Sequence, residues 1–313
     1  MSAIAAVALI ALGARLWNFL VPQGNRATPI NASTVAAALT HLSIPMPDIP
    51  DAKTPLFATP SINITPDGRI VVFAATGSAG FVGFQRRLDS SESTRFFESE
   101  TLTLSPDGRW LAFVADKKLL KVPLSGGAPT PLCTVQNDVR GACRLDDGTL
   151  VLTLSSEGGL CRIRESGCEP APLTTLDADA DELSNRWPEA LPGARGVLYL
   201  VKNNRMESFD QAEIWAHDLV SGARRRLVIG GTMPRYVPES PEAGILIFSR
   251  DDHLRAARPD LRSLSLIGVP IDVWKDVQIQ PERGIARFAV AREAGTLLHL
   301  NADRSIDQME RPR

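Results

Sequence analysis

The sequence predicts an all-β protein, a six-bladed β-propeller of four-stranded antiparallel blades with an N-terminal hydrophobic helix. Three observations lead there. A tight-turn motif recurs along the chain, and each copy is followed by a short, unbroken apolar run. A second strand pair fits inside each period. Ahead of the repeats, residues Ser2 to Val21 are almost wholly apolar.

The motif is clearest in Thr65-Pro66-Asp67-Gly68-Arg69, Ser105-Pro106-Asp107-Gly108-Arg109 and Leu145-Asp146-Asp147-Gly148-Thr149, whose glycines stand 40 residues apart. Looser copies follow at Pro192-Gly193, Glu242-Ala243-Gly244 and Glu293-Ala294-Gly295, with wider spacing. Pro sets the φ of a turn, Asp bonds back to nearby backbone, and Gly takes the left-handed position that closes the hairpin. The runs after the turns, such as Ile70 to Phe73 and Trp110 to Phe113, lack polar alternation. Such strands are covered on both faces, as stacked blades require.

The second pairs are Leu119 to Leu124 with Pro129 to Cys133, Leu160 to Arg164 with Glu169 to Thr174, and Glu213 to Leu219 with Arg224 to Val228. Six hairpins of this kind predict six blades. The last is short of strands, and the segment Leu39 to Met46 is expected to close the ring.

The N-terminal stretch, residues 1–22, is expected to be a membrane anchor or signal-like helix, since a span needs roughly 20 apolar residues. No Lys or Arg precedes it, and Arg15 and Arg26 lie on its C-terminal side, which argues against export of the propeller region. Residues 23–55 read as a linker and 56–313 as the propeller.

Composition excludes some functions. A formal net charge of −2 carries no basic footprint for nucleic acid. Cys133, Cys143, Cys161 and Cys168 have no zinc-type spacing. Cys161 and Cys168 are near enough to form a disulfide, although buried thiols fit as well. No nucleophile elbow is present, so no catalytic, metal or cofactor residue is assigned. Asp177, Asp179, Asp181 and Glu182 alternate like a calcium loop but lack its glycine and its twelfth-position acid. Asp251-Asp252-His253 reads as a turn, and Arg224-Arg225-Arg226 as the start of a strand. Arg140, Arg186 and Trp187 stand at the entry to innermost strands, where propellers bind partners, and are the candidate channel or interface residues.

The stretches Leu104 to Phe113, Lys121 to Pro129, Pro172 to Asp177, Ser184 to Pro188 and Arg235 to Pro238 carry a resemblance. They are similar to the WD-like propeller repeats of TolB. They resemble still more the propeller region beyond the membrane span of bacterial serine/threonine protein kinases. The kinase loops themselves are absent from this sequence. The resemblance implies a non-enzymatic, single-pass membrane-anchored propeller on the extracytoplasmic side. It would sense a signal or bind a protein partner, without a cofactor. A receptor-kinase fragment and a small-molecule-binding propeller are the alternatives.

Overall fold

The computed structural model describes residues 6–11, 42–45, 62–77, 80–97, 102–135, 139–164 and 169–302. The first two strands are β1 (Ala6–Ala11) and β2 (Leu42–Pro45). Blade 1 comprises β3 (Ile62–Ile64), β4 (Ile70–Gly77), β5 (Gly80–Arg87) and β6 (Ser93–Phe97). Blade 2 comprises β7 (Leu102–Leu104), β8 (Trp110–Ala115), β9 (Lys118–Pro123) and β10 (Thr130–Thr134). Blade 3 has β11 (Ala142–Arg144), β12 (Leu150–Thr153), β13 (Leu160–Ile163) and β14 (Ala171–Pro172). Blade 4 has β15 (Glu182–Ala190), β16 (Gly196–Asn203), β17 (Glu213–Asp218) and β18 (Arg224–Ile229). Blade 5 has β19 (Thr232–Pro238), β20 (Gly244–Arg250), β21 (His253–Asp260) and β22 (Ser265–Trp274). A small pair, β23 (Ile279–Gln280) and β24 (Ile285–Ala286), precedes β25 (Phe288–Ala291) and β26 (Thr296–Leu300).

Two expectations are corrected. Five blades, not six, are built from consecutive strands. The interval between blade 5 and blade 1 holds a composite sheet of order β2-β1-β26-β25, drawn from both ends of the chain. The expected N-terminal hydrophobic helix is replaced, over the described residues, by strand β1, which pairs Val7 to Leu300 through Ala11 to Thr296. A short apolar run has no period that separates helix from strand, and the open edge of β26 offers backbone partners that decide between them. Among the described residues, no helix is long and apolar enough to cross a membrane. Leu42–Pro45 lies within the expected closing segment and pairs with β1, not directly with β26.

The two-sided burial follows the strand period of two. In β12, Val151 faces the core shared with Val197 and Tyr199 of blade 4, while Leu150 and Leu152 face Leu119 of blade 2. In β4, Val72 meets Leu111 and Phe113 of blade 2. Val71 and Phe73 meet Leu298 and Leu300 of the composite sheet. In β20, Leu246 and Phe248 face Leu198 of blade 4, and Ile247 faces Phe288 and Leu297. Every seam is thus an apolar layer, and each fully buried side chain contributes roughly 1.5–3 kcal/mol.

The hairpin turns also connect the blades. Gly68, Gly108 and Gly148 have φ of 73°, 68° and 88°. A Cβ on Gly108 would lie 2.7 Å from Pro66 Cδ, and one on Gly68 2.9 Å from Ala294 Cβ. The Pro66 carbonyl accepts from the Glu293 and Ala294 N–H groups, both at 3.0 Å, so the last hairpin is tied to the first.

The residue before each proline in the first two turns does more than its sequence suggests. Thr65 Oγ1 donates to Asp67 Oδ1 at 2.5 Å and accepts from Ile70 N–H at 3.0 Å. Ser105 Oγ repeats the arrangement with Asp107 and Trp110 N–H. Burial pushes the Asp107 carboxyl up, but the Ser105 hydroxyl and the Arg109 N–H outweigh it and hold it below the usual range. A depressed carboxyl contributes stability above its unfolded pKa, lost as pH falls through the folded value. Ser105→Ala should therefore cost about 1 kcal/mol near neutrality. Thermal melts should show the gap from the wild type narrowing as the pH falls below the usual carboxylate range, without closing, because the bond from the Trp110 N–H is lost at every pH. A gap unchanged in acid would rule out this role for the carboxylate.

Candidate functional site

The innermost strands β3, β7, β11, β15, β19 and β25 line an axial cavity of about 110 Å³. Its charged lining residues are Arg144, Glu189, Arg235 and Arg292, three guanidiniums against one carboxylate. In a chain with net charge −2, the channel is locally basic.

Two bulges aim these groups. In β15 the register shifts between Arg186 and Glu189, and Trp187 sits at φ 50°. In β19 it shifts between Thr232 and Arg235, and Met233 sits at φ 52°. Each bulged residue is followed by a proline and then by a charged residue, giving Trp187-Pro188-Glu189 and Met233-Pro234-Arg235. Bulges re-aim side chains, and left-handed backbone in bulky residues persists only where the surroundings hold it. One blade earlier, Gly141 takes φ 96°. The Trp187 N–H donates to the Arg140 carbonyl at 3.0 Å, and a Cβ on Gly141 would lie 2.7 Å from the Trp187 ring. The three positions therefore step round the channel at 46-residue intervals.

Glu189 is the hub. Its carboxylate accepts from Arg292 Nη2 at 2.5 Å and from the Tyr236 N–H at 3.1 Å, and lies 3.6 Å from Arg235 Nη1. The Glu189 side chain is 8% exposed. The two arginines are held differently. Burial works against the Arg292 charge, but Glu189 overcomes it and raises the pKa. Arg235 lacks that close bond, and burial lowers its pKa. Arg235 Nη1 also donates to the Pro234 carbonyl at 3.0 Å. Cys143 lies in the same lining, and burial pushes its thiol well up, with Glu189 adding to the shift. It is neutral at physiological pH and adds no anion. The triad of Glu189, Arg235 and Arg292 keeps one net positive charge.

Of the three sequence candidates, Trp187 lines this cavity, and its Nε1 donates to the Arg283 carbonyl at 3.3 Å. Arg186, its neighbour, is engaged elsewhere. It donates to Ser184 Oγ at 2.9 Å and to the Ser156 carbonyl at 2.5 Å, with its guanidinium 4.8 Å from the Phe209 ring. Arg140 contributes its backbone to the seam between blades 3 and 4. Glu189, Arg235 and Arg292 were not singled out as site residues in the sequence. The signal that could have found two of them is the repeated pair of a proline and a charged residue.

The other polar clusters serve local structure. Asp177 accepts from the Asp179 and Ala180 N–H groups, Asp181 from Asn204 Nδ2, and Glu182 from Arg224 at 2.5 Å. Arg226 pairs with Glu213 at 2.7 Å, and His253 Nδ1 meets Asp252 at 2.7 Å beside a turn. Cys133 is buried, Cys143 and Cys161 are free thiols, and Cys168 lies outside the described residues.

Sheets of this order around a lined axis define the class: the chain is a β-propeller. Its fold is TolB-like. It is similar to a protein assigned as TolB in Agrobacterium tumefaciens, with a TM-score of 0.60 and 12% identity over 96% of this chain and 99% of that one. TolB of Acinetobacter baumannii gives 0.50 at 10% identity, over 96% of this chain and 64% of that one. Hydrazine synthase of Kuenenia stuttgartiensis gives 0.53 at 12%, over 83% and 81%. These likenesses are of fold. No family model and no curated protein matches the sequence.

Proposed function

We propose that this chain is a non-enzymatic protein-interaction module that docks its partner at the axial channel. The observation that carries the reading is the cavity itself. It gathers the non-repeating charged residues of blades 3 to 5 and the composite sheet on rigid inner strands, whereas the repeated turns use up their own polar groups. The cavity volume is well below the roughly 300–1,000 Å³ of small-molecule pockets. It suits a side chain inserted by a larger partner. Its thiol, Cys143, is held protonated, the Ser105 hydroxyl is engaged in its own turn, and no imidazole stands among the lining residues to activate a hydroxyl. An extracytoplasmic setting is part of the proposal, supported by the resemblance of the repeats. Protease treatment of spheroplasts, whose periplasm is open, tests it, since a chain cut only after their lysis is cytoplasmic.

The docking site is tested by panning a phage-displayed random dodecapeptide library on the full chain and on Asn63→Trp, which plugs the channel from β3. Enriched peptides should bind the wild type and lose at least tenfold in affinity on the plugged variant. Peptides indifferent to the plug, or no enrichment, would overturn the reading. Turnover of esters, phosphoesters or glycosides by the purified chain would overturn its non-enzymatic part.

A further inference from the structure

We infer that the channel binds a carboxylate presented by the docked protein, from an Asp or Glu side chain or a C-terminal residue. The inference rests on the proposed channel docking and specifies the chemistry of the inserted group. Three observations carry it. The triad holds two guanidiniums on one carboxylate, and the further anion that acts on it, Asp146, acts on Arg292, which leaves Arg235 with a share of Glu189 alone. Arg235 supplies the open valence: its nearest Glu189 contact is 3.6 Å, outside hydrogen-bond range, whereas Arg292 is bonded at 2.5 Å. The neighbouring Cys143 is protonated and cannot serve as the missing anion. Arg144, across the lining, feels the Asp107 carboxylate, so the unmet charge centres on the triad.

The group must be compact. A cavity of about 110 Å³ admits a carboxylate and its stem together with a bridging water. Guanidinium forks match a planar carboxylate through two parallel N–H bonds, which makes such a contact both strong and selective. Insertion would place the incoming oxygens on Arg235 while Glu189 stays on Arg292 and the Tyr236 N–H, so neither hydrogen bond of Glu189 has to break.

The experiment takes plug-sensitive dodecapeptides from the panning and measures their affinity by calorimetry. Each is compared with versions in which Asp or Glu becomes the amide, and with a version whose C-terminus is amidated. The expected result is a loss of at least tenfold for one of these changes, and which one identifies the source of the carboxylate. Arg235→Gln should weaken the acidic peptide to the level of its amide and leave the amide peptide unaffected. Arg235→Lys, which keeps the charge without the fork, should fall between. Near-ultraviolet circular dichroism confirms that both variants are folded, and if Arg235→Gln is not, Arg235→Lys alone decides. Plug-sensitive peptides that bind equally well as acid and amide overturn this inference and leave channel docking standing. Absence of plug-sensitive peptides overturns both.

Discussion

Glu189→Ala should lower the melting temperature by on the order of 10 °C, the largest effect expected from any channel substitution. The change leaves Arg235 and Arg292, 19% and 25% exposed, facing each other without the carboxylate between them. Removing one partner of a buried ion group costs about 3–5 kcal/mol, because the remaining charge stays desolvated. It also strips the Tyr236 N–H of its acceptor. The double variant Glu189→Gln/Arg292→Gln, which removes one charge of each sign, should be less damaging than the sum of its single changes. Calorimetric melts of the four proteins check this. Additive losses would mean that the pair does not act as a unit. An apolar core of the same volume is often as stable as a buried ion group. The charges therefore add little to stability that packing could not supply, which is consistent with their proposed role in recognition.

The second large effect is expected at Gly141. Its φ of 96° is unfavourable for a residue with a side chain. A Cβ there would lie 2.8 Å from the Trp187 Cα as well as against its ring. Backbone cannot swing aside as a side-chain tip can. Gly141→Ala should therefore cost about 3–4 kcal/mol, from left-handed strain plus crowding of a packed seam. It should also change the near-ultraviolet dichroism of Trp187. Gly126→Ala is the control. Its φ is 99°, but nothing lies within 4 Å of the added atom, so only the conformational cost of about 1–2 kcal/mol should appear. Equal losses at both positions would show that the Trp187 contact does not matter.

The parts legible in the sequence are those set by local chemistry. The glycines of the first three turns, the apolar runs after them and the second strand pairs are all present where the repeat places them. Even the loose copies at Pro192-Gly193 and Glu293-Ala294-Gly295 connect β15 to β16 and β25 to β26. What the sequence hid depends on the ring. Glu189 and Arg292 are 103 residues apart and meet only because β15 and β25 face one axis. The bulges at Trp187 and Met233 are invisible to a strand pattern of period two. The make-up of the last sheet could not be read either, since Ala6–Ala11 is as apolar as a helix would be. Its pairing is decided by β26, almost the whole chain away.

The bond from the last turn to the Pro66 carbonyl also sets the order in which the protein can be finished. A chain leaving the ribosome can stack blade 2 on blade 1 and continue outward, seam by seam. The other face of blade 1, with Ile62, Val71 and Phe73, has no cover until Ala289 and Leu298 arrive. The first blade made is thus the last one sheltered. For most of synthesis it presents an apolar face of the kind that makes intermediates aggregate. Pairings of such high sequence separation also form slowly. Truncation just before β25 would therefore make a product that is chiefly insoluble, with its defect at the opposite end of the sequence from the cut.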